Sequence, residues 1–181
     1  MGDPPRLGKM RAAAMYQGAM VRLVRQLKYR RAVHLAIAMG PWLKATYRRH
    51  WPSTGDAVDI VVPVPLHKRR LRQRGYNQSW LLARQVFGEG ASTQAPRLMD
   101  ILVRCRDTPS QTGLDREMRR RNLKGAFDIV DGAPVTGKTV LLVDDVITTG
   151  ETLGACTDAL LAAGAIQVDA LCMARTPRRN Q

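Results

Sequence analysis

Residues 140 to 152 read VLLVDDVITTGET, an apolar run that ends on two adjacent aspartates and continues into two threonines and a glycine. The branched apolar side chains of VLLV are typical of a buried strand, and residues 151 to 163 have the composition of a helix. Adjacent carboxylates repel each other, so Asp144 and Asp145 are costly neighbours at the end of such a strand. Their placement therefore indicates a functional reason for the pair.

The strand end and the residues after it have the chemistry of a site for a sugar phosphate. In an open parallel sheet, ligands bind where the carboxyl ends of strands lead into helices. Gly150 allows close backbone approach, Thr148 and Glu151 have capping-box spacing, and N–H groups at a helix start suit a phosphate dianion. Two carboxylates just upstream would accept hydrogen bonds from neighbouring hydroxyls, which together predicts a ribose 5-phosphate site. The predicted phosphate loop consists of Thr148, Thr149, Gly150, Glu151 and Thr152.

Two alternative roles for this region compete with a sugar-phosphate site. The aspartates could cap an ordinary turn, with TTG as common helix-start chemistry. Residues 132 to 139, GAPVTGKT, also match the phosphate loop of nucleotide triphosphatases. That motif needs a helix directly after Lys138 and Thr139, whereas the run that follows is rich in strand-forming residues. The sequence therefore predicts a strand there and disfavours the nucleotide triphosphatase.

Outward from this strand, apolar segments alternate between strand and helix patterns. Two helices are predicted within 17 to 47, meeting near Arg30 and Arg31, with a candidate break or kink at Gly40 and Pro41. Further helices are predicted over 76 to 87 and 151 to 163, and strands over 58 to 65, 100 to 105, 126 to 130, 139 to 143 and 168 to 173. This alternation predicts an α/β fold with a mostly parallel sheet flanked by helices. We expect residues 1–50 to form a helical segment packed on the core of a main domain, residues 51–181, in a single structural unit.

Composition and charge exclude several classes of protein. The 181 residues are 45% hydrophobic, which argues against a disordered or fibrous chain. The three cysteines lack a C-x-x-C pair, so they predict buried thiols rather than a disulfide framework or zinc ribbon. No apolar run approaches the ~18 residues of a membrane helix, and we expect a soluble, cytoplasmic protein without membrane insertion. The net charge of +14 favours anionic partners, with a solvated basic surface as the alternative.

Four ordered segments resemble the ComF family, the competence-associated proteins related to amidophosphoribosyltransferase. The segments are MVRLVRQLKYR (20–30), VVPVPLHKRRLRQRGYNQ (61–78), RDTPSQTGLDREMRRRNLKGAF (106–127) and VLLVDDVITTGET (140–152). The resemblance runs from about Tyr16 to Arg175. Members of the family usually begin with a cysteine-rich zinc-binding module, which this sequence lacks. A shortened form, a mispredicted start and a true single-domain variant all remain open.

The resemblance implies a type I phosphoribosyltransferase fold with a flexible lid loop over residues 106–122. It assigns Asp144 and Asp145, as catalytic residues, to the ribose hydroxyls of 5-phosphoribosyl 1-pyrophosphate (PRPP). The turn after strand 58–65 becomes the pyrophosphate loop, with Pro65, Leu66, His67, Lys68, Arg69, Arg72 and Arg74. The lid residues are Arg106, Gln111, Arg119 and Asn122. From the residues alone, the basic run could be a solvated face, and the polar segment could be disordered.

The implied activity is the displacement of pyrophosphate from C1 of PRPP by a nitrogen nucleophile. Mg2+ is expected as a cofactor held mainly through PRPP, and no protein ligand to the metal is assigned. A PRPP-sensing or single-stranded-DNA-binding accessory protein of natural transformation is the alternative, which the positive charge also fits. The sequence leaves the acceptor and the oligomeric state open, a homo-oligomer included.

Overall fold

A five-stranded parallel sheet forms the centre of the protein in the computed structural model, which describes residues 7–52, 57–88, 95–106, 123 and 125–177. Its strands are β1 (Met10–Met15), β2 (Ile60–Pro63), β3 (Arg97–Leu98), β6 (Thr139–Ile147) and β7 (Gln167–Arg175), in the spatial order β1-β7-β6-β2-β3. Two short strands, β4 (Leu102–Arg104) and β5 (Phe127–Ile129), pair antiparallel beside this sheet. The predicted mostly parallel α/β architecture is confirmed.

Five helices flank the sheet in the described ranges: α1 (Ala19–Tyr29), α2 (His34–His50), α3 (Lys68–Arg74), α4 (Gln78–Phe87) and α5 (Glu151–Ala162). The two predicted amino-terminal helices do meet at Arg30 and Arg31, where Arg31 has a left-handed φ of 54°. Of the break or kink predicted at Gly40 and Pro41, the break is wrong, because α2 continues through both residues. Gly40 instead lets α2 approach α4, since a Cβ there would lie 2.7 Å from the Cβ of Gln85.

Strand β6 is buried on both faces, which explains its unbroken apolar run. Val140 and Leu142 belong to the core beneath α5, whereas Leu141 and Val143 belong to the core beneath α2 and α4. Successive side chains of a strand point to opposite faces. The same alternation places Asp144 and Asp145 on opposite faces of the sheet.

The edge strand β1 is not predicted by the sequence pattern. Its residues, MRAAAM, include three alanines, which have low strand propensity, and none of the six residues is buried. It forms because it pairs in parallel with β7 along the register from Met10 opposite Ala170 to Met15 opposite Arg175. The segment expected to be helical therefore also contributes a strand to the sheet.

The segment at residues 132–139, which matches the nucleotide triphosphatase motif, leads into a strand and not into a helix. Thr139 is the first residue of β6, and its backbone N–H donates to Asp59 Oδ2 at 2.8 Å. Lys138 Nζ lies 3.3 Å from Asp59 Oδ1, so this lysine forms an ion pair with the residue just before β2. The prediction of a strand is confirmed, and a nucleotide triphosphatase loop is excluded.

A search for membrane-spanning segments over the described ranges finds no helix with the length and apolar character that crossing a bilayer requires.

Candidate functional site

The junction of β6 and α5 forms a small depression, open to solvent, at the carboxyl edge of the sheet. It is lined by Asp144, Val146, Ile147, Thr148, Gly150, Thr152 and Leu153. Gly150 adopts a left-handed φ of 83° and is the N-cap of α5, so the capping box expected between Thr148 and Glu151 is wrong. The left-handed turn at Gly150 delays the helix start by two residues. Because glycine has no side chain, no side chain at the cap position covers the backbone N–H groups at the start of α5.

Asp144 is the carboxylate that faces this depression. Its side chain is buried, and Oδ1 accepts hydrogen bonds from Ser79 Oγ at 2.9 Å and from the Asp145 backbone N–H at 2.8 Å. Burial and the neighbouring charge of Asp145 raise the pKa of Asp144 to about 7, and the Lys28 ammonium and both hydrogen bonds act against that rise. Asp144 therefore changes charge near neutral pH.

Asp145 lies on the other face of β6 and makes an ion pair with α1. The distance between its Oδ2 and Lys28 Nζ is 2.9 Å, and both side chains are largely shielded from solvent, with exposed fractions of 4% and 23%. The attraction between the Lys28 ammonium and the Asp145 carboxylate holds the pair. Burial is the largest single effect and acts to lower the pKa of Lys28, but the attraction and side-chain hydrogen bond of Asp145, with smaller contributions from Asp144 and Tyr29, together leave the pKa raised.

The two members of the acid pair, Asp144 and Asp145, therefore have different surroundings. The sequence pattern predicts that both carboxylates accept hydroxyls of the same sugar, whereas the structure brings only Asp144 together with the phosphate-loop residues Thr148, Gly150 and Thr152. The remaining phosphate-loop residues, Thr149 and Glu151, lie at the same junction. Asp145 is occupied by a cation from the chain itself.

The predicted pyrophosphate loop leaves the sheet next to the acid pair. The backbone N–H of Val64 donates to the Val143 carbonyl at 2.9 Å, one residue before Asp144. Pro65 and Leu66 follow, and His67 is the buried N-cap of α3, its Nδ1 accepting from the Arg69 N–H at 3.4 Å. The predicted turn is therefore short, and its basic residues from Lys68 to Arg74 form a helix. Lys68, Arg69 and Arg72 are exposed on it.

The residues between α3 and α4 connect this region to α1. Asn77 is the N-cap of α4, and its side chain bonds both the Ser79 N–H at 3.0 Å and the Val64 carbonyl at 3.1 Å. The Tyr76 hydroxyl donates to the carbonyl of Leu27, the residue before Lys28. These bonds fix α1 and α4 against the strand that carries the acid pair.

Sequence reasoning missed Lys28 and Ser79. Lys28 carried a usable signal, since it stands four residues after Val24 and eight after Met20, both of which are buried. A lysine on the apolar face of a helix indicates a buried partner. Ser79 gave no comparable signal, because its role depends on the distant strand β6.

Only one predicted lid residue can be located. Arg106 is exposed at the end of the described range 95–106. Gln111, Arg119 and Asn122 lie outside the described residues. The expectation of buried thiols holds for Cys156 and Cys172 and is wrong for Cys105, which is exposed beside this segment.

Comparisons with known proteins show the family to which the chain belongs. The family model described as the phosphoribosyl transferase domain matches residues 83–181. The DNA utilization protein YhgH of Escherichia coli O157:H7 is 35% identical over 174 residues, which cover 96% of this chain and 74% of that protein. Competence protein F of Haemophilus influenzae is 38% identical over 118 residues, 65% of this chain and 50% of that protein. A hypoxanthine phosphoribosyltransferase from Staphylococcus aureus aligns with 80% of this chain and 65% of its own, at 15% identity and a TM-score of 0.43.

Proposed function

The chain belongs to the ComF family of phosphoribosyltransferase-like proteins and has the type I phosphoribosyltransferase fold, and from that premise we propose that it binds PRPP. In this proposal it transfers the 5-phosphoribosyl group to a nitrogen acceptor and releases pyrophosphate. The names of its relatives, which refer to DNA utilization and competence, support a role linked to DNA uptake.

One observation carries the proposal. The depression at the β6–α5 junction is lined both by a carboxylate, on Asp144, and by the phosphate-loop residues Thr148, Gly150 and Thr152. The loop precedes a twelve-residue helix whose N-terminus favours an anion, and the carboxylate can accept a sugar hydroxyl. Ribose 5-phosphate carries a phosphate and hydroxyl groups in one small molecule and therefore fits both features of the depression.

The remaining residues supply positioning and charge. The exposed cations of α3, Lys68 and Arg72 among them, lie on the segment that leaves the sheet beside the acid pair and would neutralise a pyrophosphate. Arg106, with Gln111, Arg119 and Asn122 beyond the described range, remains predicted to close over the ligand. Little covalent chemistry falls to the protein, so orientation and electrostatic stabilisation of the leaving group provide the rate.

Mg2+ enters this proposal together with PRPP. Among the described residues no group of three or more His, Cys, Asp or Glu side chains is arranged to hold a metal ion. In this proposal the ion would be held mainly through PRPP, and no protein ligand is named. When bound, Mg2+ would neutralise the charge of the leaving pyrophosphate.

Two measurements test the proposal. Titration calorimetry with PRPP and Mg2+ should show binding that Asp144→Asn weakens by at least about tenfold, since loss of a charged acceptor costs more than a neutral hydrogen bond. Pyrophosphate release should then be followed with ammonia, amines and nucleobases as acceptors. Wild-type protein that binds no PRPP with Mg2+ present would refute the proposal.

A second function is favoured by the distribution of positive charge. Exposed basic side chains occur on α1 (Arg22, Arg25), α2 (Lys44, Arg48, Arg49) and α3 (Lys68, Arg72), within a chain of net charge +14. One small anion does not require so many cations, and single-stranded DNA would use them. An accessory protein that senses PRPP while it binds DNA would show PRPP binding without turnover, and DNA affinity that falls steeply with salt. Absence of DNA binding at about 50 mM salt, where phosphate contacts are strongest, would remove this candidate.

A further inference from the structure

We infer that Lys28 is a positioning residue of this site: its ammonium holds Asp145 on one face of β6 and offsets the charge of the acid pair, so that Asp144 meets the ligand as a carboxylate. The identity of that ligand rests on the proposed function. The placement of Lys28 does not, because it follows from contacts within the chain.

Lys28 differs from an ordinary surface lysine in how firmly it is held. It belongs to the last turn of α1, whose buried residues include Val24 and Leu27. On one side of it, the Leu27 carbonyl accepts the Tyr76 hydroxyl. On the other side, the Arg74 guanidinium lies 5.5 Å from the centre of the Tyr29 ring. The bond to the Leu27 carbonyl therefore fixes the backbone beside Lys28, and the ion pair with Asp145 holds its Nζ.

The anchoring residues also reach the other member of the acid pair. Tyr76 is followed by Asn77, the N-cap of α4, and Ser79 in the first turn of that helix donates to Asp144 Oδ1 at 2.9 Å. The contacts thus form a closed circuit from α1 through α4 to β6 and back to α1. Within it, Asp144 receives a hydrogen-bond donor and Asp145 receives a cation.

The surroundings of Asp144 show why this cation matters. Asp145 raises the pKa of Asp144, and Lys28 is the cation that lowers it. The neighbouring thiols carry no charge near neutral pH, because burial raises their pKa well above the usual value. Among the described residues, the groups that interact electrostatically with Asp144 are Asp145 on β6, Lys28 on α1, Ser79 on α4, Cys156 on α5 and Cys172 on β7.

Removal of the ammonium should therefore change the protonation of Asp144 and not only the stability of the fold. A protonated carboxyl group is a poorer acceptor for a sugar hydroxyl than a carboxylate. Without Lys28, proton uptake by Asp144 would move to higher pH, and the site would lose its affinity for the sugar at neutral pH.

The first test follows the carboxyl carbons of ¹³C-labelled aspartate by NMR as pH is varied, with the Asp144 signal assigned from Asp144→Asn. Lys28→Met keeps most of the side-chain volume and removes the charge, Lys28→Arg restores a cation, and Arg25→Met removes an exposed charge from the same helix. We expect the Asp144 midpoint to rise by about one pH unit or more in Lys28→Met, as for loss of an opposite charge at close range. Lys28→Arg and Arg25→Met should stay near wild type. An unchanged midpoint in Lys28→Met overturns the inference.

The second test measures PRPP affinity over the same pH range. At neutral pH Lys28→Met should bind at least about fivefold more weakly than wild type, and the difference should narrow as pH rises and Asp144 ionises in both proteins. A loss that is equal at every pH would mark Lys28 as merely structural and would overturn the inference.

The two tests separate this inference from the proposed function. A wild-type protein that binds no PRPP refutes the function, and the NMR titration alone then decides whether Lys28 sets the charge of Asp144. Should Lys28→Met fail to fold, the double variant Lys28→Met with Asp145→Asn should fold, because it leaves no uncompensated charge. Failure of that double variant as well would overturn the role assigned to the ammonium.

Discussion

Ser79 Oγ donates a 2.9 Å hydrogen bond to Asp144 Oδ1, which joins the first turn of α4 to the strand that carries the acid pair. Both side chains are buried, so neither can exchange this bond for one to water. The contact lowers the pKa of Asp144 and opposes the rise caused by burial. The bond therefore favours the ionised form of Asp144.

Ser79→Ala should destabilise the fold by about 1–3 kcal/mol, because a buried carboxylate oxygen loses a donor. Urea denaturation at neutral pH measures the change. Thr157→Val is the matched control, since Thr157 Oγ1 is buried on α5 and has no hydrogen-bond partner among the described residues. Its removal should cost little. Equal losses in the two variants would contradict a role for the Ser79 bond.

The pH dependence of stability should carry the signature of Asp144. Its folded pKa of about 7 lies above the value of an unfolded aspartate, so the folded state binds the extra proton between these values. The stabilising contribution is complete below the unfolded pKa and is lost as pH rises through about 7. Asp144→Asn should therefore gain stability relative to wild type as pH rises over this window, in parallel denaturation series. A constant difference would show that Asp144 does not titrate there.

Gly150→Ala should weaken PRPP binding and destabilise the protein. An alanine would meet no atom within 4 Å, so the cost comes from the left-handed φ of 83° and should be about 1–2 kcal/mol. Gly132 has a φ of 73° with equally open space, and Gly132→Ala provides the same strain away from the site. Calorimetry should show lost affinity for ribose 5-phosphate in the first variant only. Equal affinity in the two variants would argue against a phosphate at this loop.

The basic helix α3 should discriminate between PRPP and ribose 5-phosphate. Replacing Lys68 and Arg72 together by alanine should reduce PRPP affinity by at least about tenfold, because charge-assisted contacts to the pyrophosphate are lost. Affinity for ribose 5-phosphate should stay unchanged. Replacing Arg22 and Arg25 on α1 removes the same charge elsewhere and serves as the control. If both ligands or both double variants respond alike, the effect of α3 is one of net charge alone.

Much of the fold could be predicted from one stretch of sequence. VLLV is apolar on both faces because β6 lies at the interior of the sheet, and the pattern of alternating strands and helices follows from the same principle. β1 was not predicted because its alanines have weak strand propensity; pairing with β7 outweighs that propensity in the folded protein. The basic residues after His67 were expected in a turn and form α3, since local charge says little about backbone conformation.

The loop of the candidate site could be predicted from the sequence, whereas the separate surroundings of its two aspartates could not. The positions of Gly150 and the threonines follow from local chain geometry at a helix start. The separate surroundings of Asp144 and Asp145 depend on strand alternation and on Lys28, which is more than a hundred residues away in sequence. Only the assembled fold brings that ammonium to the carboxylate.

The ion pair between α1 and β6 couples the residues at positions 28 and 145, which lie far apart in the sequence. Loss of Lys28 leaves a buried charge on Asp145, and loss of Asp145 leaves one on Lys28, so each substitution alone is penalised. In related chains we therefore expect the two positions to covary, with an uncharged residue at one accompanied by an uncharged residue at the other.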